Sequence, residues 1–218
     1  QEYIHSEGVR YIEETGDPHK IHLRPLRLGI QDTYMDQSQK VRIQYSSKNA
    51  GVANAWKKWQ GEVKGIKKMK TVNTKKEYEK AFANWAVGSE YEGITDKIAA
   101  LYRELEPYSF ATDYYSETVR TIEAAAFAKS YMDLFKTEGK KKTITFDAAK
   151  AKEMTEAFFK DYYVPIDKEC FIAVMSEYEK NVPTEFKPEY FKESYARYGS
   201  VQAWADEMFG TTVFTDKE

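Results

Sequence analysis

From Ser38 to Lys70 the chain reads SQKVRIQYSSKNAGVANAWKKWQGEVKGIKKMK. Val41, Tyr45, Val52, Trp56, Trp59, Val63 and Ile66 recur there at spacings of three, four and seven, which places them on one face of a long α-helix. Ser38 has the side chain of an N-cap. Gly51 and Gly61 lie inside the run, and each costs about 1 kcal/mol against Ala in a helix interior. They predict either the close approach of a neighbour or a bend.

Helix signals continue on both sides. Ser6, Val9 and Ile12 indicate a short first helix, and residues 17–37 a second, with Pro18 suited to its first turn and Pro25 an expected irregularity. Thr74 and Glu77 have capping-box spacing, followed by Tyr78, Phe82 and Trp85 on one face. Gly88 and Ser89 separate that helix from one carrying Ile94, Ile98, Leu101 and Leu105, ending before Pro107. A long helix is expected over 108–136, with Val119, Ile122, Ala126 and Met132 for burial, then a polar turn at Gly139–Lys142. Asp147 caps a helix bearing Met154, Phe158 and Phe159. Val164-Pro165-Ile166-Asp167 opens another with Phe171, Val174, Met175 and Tyr178, stopped at Asn181-Val182-Pro183. Residues 188–198 and 200–209 form two short final helices. Strand alternation is nearly absent and no solenoid period recurs, so the expected class is all-α, an irregular multi-helix bundle.

The composition agrees. The 218 residues suffice for one large domain or two small ones, and 33 Lys plus Arg against 35 Asp plus Glu leave a net charge of -2. That balance argues against a general nucleic-acid binder, and no run approaches the ~20 apolar residues of a membrane span. Aromatic residues make up 15% of the chain, which suits dense packing. The opening at Gln1 and the helix-like close at Thr215-Asp216-Lys217-Glu218 read as an excised piece of a longer protein.

Catalytic signatures are missing: the chain has neither a Gly-x-Ser-x-Gly elbow nor a phosphate-binding loop. His19 and His22 share a helical spacing but lack carboxylate partners, so a solvated surface is expected and no metal site. Glu2 and His5 have the Glu-x-x-His spacing of di-iron bundles without the second motif such sites need. Cys170, the single cysteine, lies on an apolar face and reads as a buried, inert thiol. The lysines between Lys57 and Lys80, interleaved with Trp56 and Trp59, read as a solvated face over a tryptophan core. The competing reading is a basic nucleic-acid patch. Tyr114 and Tyr115 are candidates for an exposed docking surface.

Four stretches together resemble one family. KVRIQYSSKNAGVANAWKKWQGEVKGIKK (Lys40–Lys68), DYYVPIDKECFIAVMSEYEKNVP (Asp161–Pro183), VQAWADEMFGTTVFTDKE (Val201–Glu218) and HSEGVRYIEE (His5–Glu14) resemble, in order, the helical domain of the dipeptidyl-peptidase 7 and dipeptidyl-peptidase 11 family of bacterial serine exopeptidases. The resemblance runs through nearly the whole chain, more loosely from about Gly88 to Gly139. It implies a single helical cap domain over 1–218, cut before its last helices and inserted in a chymotrypsin-like double β-barrel. The catalytic triad of that barrel lies outside the chain. The chain alone would therefore be inactive, need no cofactor or metal, and meet two partners, its own catalytic domain and a peptide N-terminus, in a parent that is periplasmic or on the cell surface. Homodimerisation of the parent is left open.

The resemblance also carries one site residue. Asn54, in GVANAWKK, matches the family's long-helix asparagine that helps hold the substrate's α-ammonium. An amide oxygen accepts a charge-assisted hydrogen bond from such a group. Gly51, one turn earlier, leaves space for the peptide terminus. The domain would act as a lid hinged before Tyr3 and beyond Glu218. The residues by themselves also allow a non-enzymatic helical interaction module, which would present an apolar groove and be indifferent to Asn54.

Overall fold

Ser38 ends one helix and starts the next. In the computed structural model, which describes residues 3–138 and 143–215, it is the only residue between α2 (Asp17–Gln37) and α3 (Gln39–Lys68). Its backbone is extended (φ -147°, ψ 119°) and its side chain accepts the Val41 N–H at 3.4 Å. The two helices run back antiparallel: Asn49 meets Asp32, Arg24 reaches the Val52 carbonyl, and Trp56 reaches Ile21. At 1.5 Å per residue, α3 is about 45 Å long.

Pro25 does not interrupt α2. It lacks the N–H that the Ile21 carbonyl, four residues back, would receive, and Trp56 Nε1 donates to that carbonyl instead at 3.1 Å. Before α2, α1 (Ser6–Tyr11) passes through a π-helical turn (Ile12–Gly16) with no loop between. Gly16 is required there, because a Cβ would sit 2.9 Å from the Tyr11 ring.

α8 (Val164–Asn181) is the spine of the core. Phe171, Val174, Met175 and Tyr178 pack with Leu23 of α2, Tyr114 of α5 (Ile94–Glu117), Phe191 of α9 (Glu189–Tyr198), and Trp204, Ala205 and Phe209 of α10 (Val201–Thr211). A smaller cluster joins Met35, Val41 and Tyr45 to Ile166 and Cys170. α7 (Ala148–Lys160) starts as its spacing predicts, with Asp147 accepting the Lys150 N–H at 3.0 Å. The all-α class holds, with ten α-helices among the described residues.

Several expectations need correction. α5 runs through Pro107, which is exposed where water can satisfy the freed carbonyl, so the helix does not end there. The helix expected over 108–136 breaks after Glu117 into a 3₁₀ turn (Val119–Thr121) and α6 (Glu123–Met132). Fully buried Thr118 returns its hydroxyl to the Tyr114 carbonyl at 2.6 Å, and Asp167 takes the first N–H groups of α6. A short antiparallel hairpin follows, β1 (Phe135–Glu138) on β2 (Thr143–Phe146). Phe135 and Phe146 stack across it at 4.6 Å, a pairing that sparse alternation did not reveal. The turn expected at Gly139–Lys142 lies outside the described residues, as do Glu2 and Asp216–Glu218.

α4 (Thr71–Trp85) begins earlier than the capping box implies, after Lys70 in the left-handed region (φ 49°). Thr74 donates back to the Lys70 carbonyl and caps nothing. Tyr114 is buried, not exposed, and Tyr115 is half-buried.

Candidate functional site

The buried stripe of α3 faces α2 and α8. The opposite line, Ser47, Gly51, Asn54, Lys58 and Gly61, is exposed. A Cβ built on Gly51, Gly61 or Gly65 would meet nothing within 4 Å. The close neighbour that Gly51 and Gly61 predicted is therefore not among the described residues, and α3 runs unbroken past them. Asn54 stands in the middle of this face, exposed, and its amide makes no hydrogen bond with any described residue. It is one turn from the open flank of Gly51.

The helix beneath Asn54 is held from two sides. On the α2 side, Trp56 is fixed by Ile21, and Trp59 lies under Arg24 and Lys20, at 4.3 and 5.1 Å from its ring centre. Arg24 also takes Glu117 of α5 through both its Nε and Nη2 (3.1 and 3.3 Å), joining three helices at one guanidinium. Trp56 and Trp59 are thus half-buried wedges under the lysine-rich face rather than a sealed core.

On the other side, Tyr45 donates to Glu123 at 2.9 Å and accepts the Tyr163 N–H at 3.2 Å. Lys48 pairs with Glu123 and donates to the Asp161 carbonyl. Asp167 completes the junction, accepting from the Glu123 N–H (2.8 Å), the Ala124 N–H (2.7 Å) and the Tyr162 hydroxyl (3.1 Å). Burial, joined by the Glu123 charge, pushes the Asp167 pKa up to about 6 against the pull of those donors. Burial and Glu123 likewise raise that of Tyr45, so the phenol keeps its proton. Sequence reasoning missed this junction, since it joins three stretches, 45–48, 123–124 and 161–167, through bonds that span up to 118 positions, and only Tyr45 lies on a legible stripe.

The other candidates come apart. His19 is buried and stacked on Tyr114 at 5.2 Å, with its Nδ1 bonded to the Thr15 carbonyl, and burial holds its pKa low. The solvated surface expected for it is therefore wrong, because the ring fills the gap beside Tyr114. His22 points elsewhere, to Glu177 at 3.0 Å. Among the described residues no three His, Cys, Asp or Glu gather as metal ligands do. Cys170 is buried, and burial pushes its thiol up to about 12, which leaves it protonated. Lysines 57–80 are spread over the end of α3, the Lys70 turn and α4, so they do not form one face. His5, Ser6 and Glu79 do converge, but Ser6 donates to Glu79 and His5 Nδ1 takes the Glu7 N–H, so no imidazole is placed to activate the serine.

Comparison with known proteins is consistent across the chain. The profile of the peptidase S46 family matches residues 1–218. An Asp/Glu-specific dipeptidyl-peptidase of Flavobacterium psychrophilum is 33% identical over 196 residues, covering 86% of this chain and 27% of that protein. A dipeptidyl-peptidase 7 of Porphyromonas endodontalis is 26% identical over 223 residues, covering 99% of this chain and 26% of its own length. The crystal structure of Porphyromonas endodontalis DPP11 matches the fold with a TM-score of 0.77 at 20% identity, over 99% of this chain and 31% of that one. DPP11 in complex with the dipeptide Arg-Glu gives 0.76 at 21% identity, with 98% and 31% covered. The chain thus spans less than a third of the length of these relatives. No described helix is long and apolar enough to cross a membrane. An all-α chain matched from end to end by one peptidase profile belongs to the peptidase S46 family.

Proposed function

We propose that this chain is the helical cap of a serine dipeptidyl aminopeptidase, and that Asn54 receives the substrate's α-ammonium. The observation that carries the reading is an exposed amide without a hydrogen-bond partner among the described residues, beside the open flank of Gly51, on a helix braced from both sides. A ligand group held this way loses little freedom on binding. The short coverage of the relatives supports a catalytic unit elsewhere in the parent polypeptide. That unit would supply the Ser-His-Asp triad and form the acyl-enzyme, while the cap measures the distance from the amino end to the scissile bond. Release of dipeptides follows from that distance. Closure about hinges before Tyr3 and beyond Glu218 would exclude water and strengthen the ammonium contact. The proposed location is the periplasm or the cell surface, which fractionation of the source cells would test.

Asn54→Ala in the full-length protein should lower kcat/KM on free-amine substrates by one to two orders of magnitude. That corresponds to roughly 1.4–3 kcal/mol, the range of a charged hydrogen bond. N-acetylated substrates should lose little further. Unchanged kinetics would remove Asn54 from the site. A protein-interaction role draws on a different observation, the apolar groove between α4 and α5.

A further inference from the structure

α4 is helical with an apolar stripe but buries none of it. Tyr78, Phe82 and Trp85 recur at four and three residues, and they are 63%, 39% and 68% exposed. α5 repeats the pattern with Ile94, Ile98, Leu101 and Leu105, of which Leu101 is 62% and Leu105 55% exposed. Between the two stripes lies a groove of about 490 Å³ lined by Tyr3, Tyr78, Phe82, Ile94, Ile98 and Tyr102. Elsewhere stripes of this spacing are packed, as in α8 and α10. A contiguous apolar surface this large usually has a partner.

The chain itself indicates the occupant. Its first described residue, Tyr3, lines the groove, where its hydroxyl is tied to Glu79 at 3.0 Å and its ring takes Lys75 at 4.3 Å. The curated relatives have more than two thirds of their length outside the matched part. The geometry points to the polypeptide immediately preceding Gln1 in the parent as the segment that fills the α4–α5 groove. The assignment rests on the cap reading and adds to it the face on which cap and catalytic unit meet. Tyr3 is anchored at the groove, so little closure entropy opposes seating chain that lies close to it in sequence.

The test places p-benzoyl-phenylalanine at position 82 of the full-length protein, followed by irradiation, a denaturing gel and peptide mapping. The expected product keeps the mass of one chain and joins position 82 to a peptide preceding Gln1. A product of doubled mass would make the occupant a second copy and overturn the assignment. So would cross-links confined to α1 and α5, or to chain beyond Glu218. This readout does not depend on Asn54, so the kinetics of Asn54→Ala and the cross-link can fail separately.

Discussion

Asp167→Ala tests how α3 is held. Asp167 is 1% exposed and accepts from two backbone N–H groups and one phenol, all within 3.1 Å. Alanine leaves those donors buried without an acceptor and removes the cap from α6. With buried donors at about 1–3 kcal/mol each, softened by local relaxation, the expected loss near pH 7.5 is roughly 3–5 kcal/mol. The pH dependence has a definite sign. The folded pKa, about 6, lies above the unfolded value of about 3.9, so the protonated form favours the fold. That contribution is complete below about pH 4 and disappears as pH rises through about 6, a span worth roughly 3 kcal/mol. The variant lacks it, so the gap between wild type and variant should widen toward pH 4. Urea unfolding followed by tryptophan fluorescence at pH 4, 6 and 7.5 measures this. A loss below about 1 kcal/mol, or a gap that narrows in acid, would refute the reasoning.

Three further outcomes follow from single contacts. Gly51→Ala should raise chain stability by up to about 1 kcal/mol, because the added methyl meets nothing, yet lower kcat/KM of the full-length enzyme by crowding the site; improved stability with unchanged kinetics would contradict the role of Gly51. Gly16→Ala should cost about 1–3 kcal/mol in unfolding experiments, since the Tyr11 ring it meets is anchored to Asp113 at 2.9 Å. Cys170, with its thiol pushed up to about 12 by burial, should resist iodoacetamide at pH 8 until urea unfolds the chain, as mass spectrometry would show.

Much of the helix pattern was legible because apolar spacing is local. α7, α8, α9 and α10 start where Asp147, Val164, Pro188 and Ser200 indicate, each from a cap or a proline a few residues away. The break between α5 and α6 was not legible, because the carboxylate that starts α6 comes from Asp167, 44 positions after Glu123. For α4 and the first half of α5 the spacing was right, yet the apolar face it marks is largely exposed. Periodicity states which side chains share a face and is silent on what covers it. The site divides the same way. Nothing local distinguishes Asn54 from an ordinary surface asparagine, and it stood out only through resemblance. Its exposure, and the lack of a partner among the described residues, became visible in the fold, as did the bracing by Tyr45, Lys48 and Trp56.

The central claim is the contact between Asn54 and a peptide's amino end. A crystal structure of the full-length protein with a bound dipeptide measures it directly. The account predicts Asn54 Oδ1 within about 3.2 Å of the dipeptide's α-nitrogen, with that nitrogen beside Gly51. A dipeptide whose α-nitrogen is held by other groups, with Asn54 turned to solvent, would contradict it.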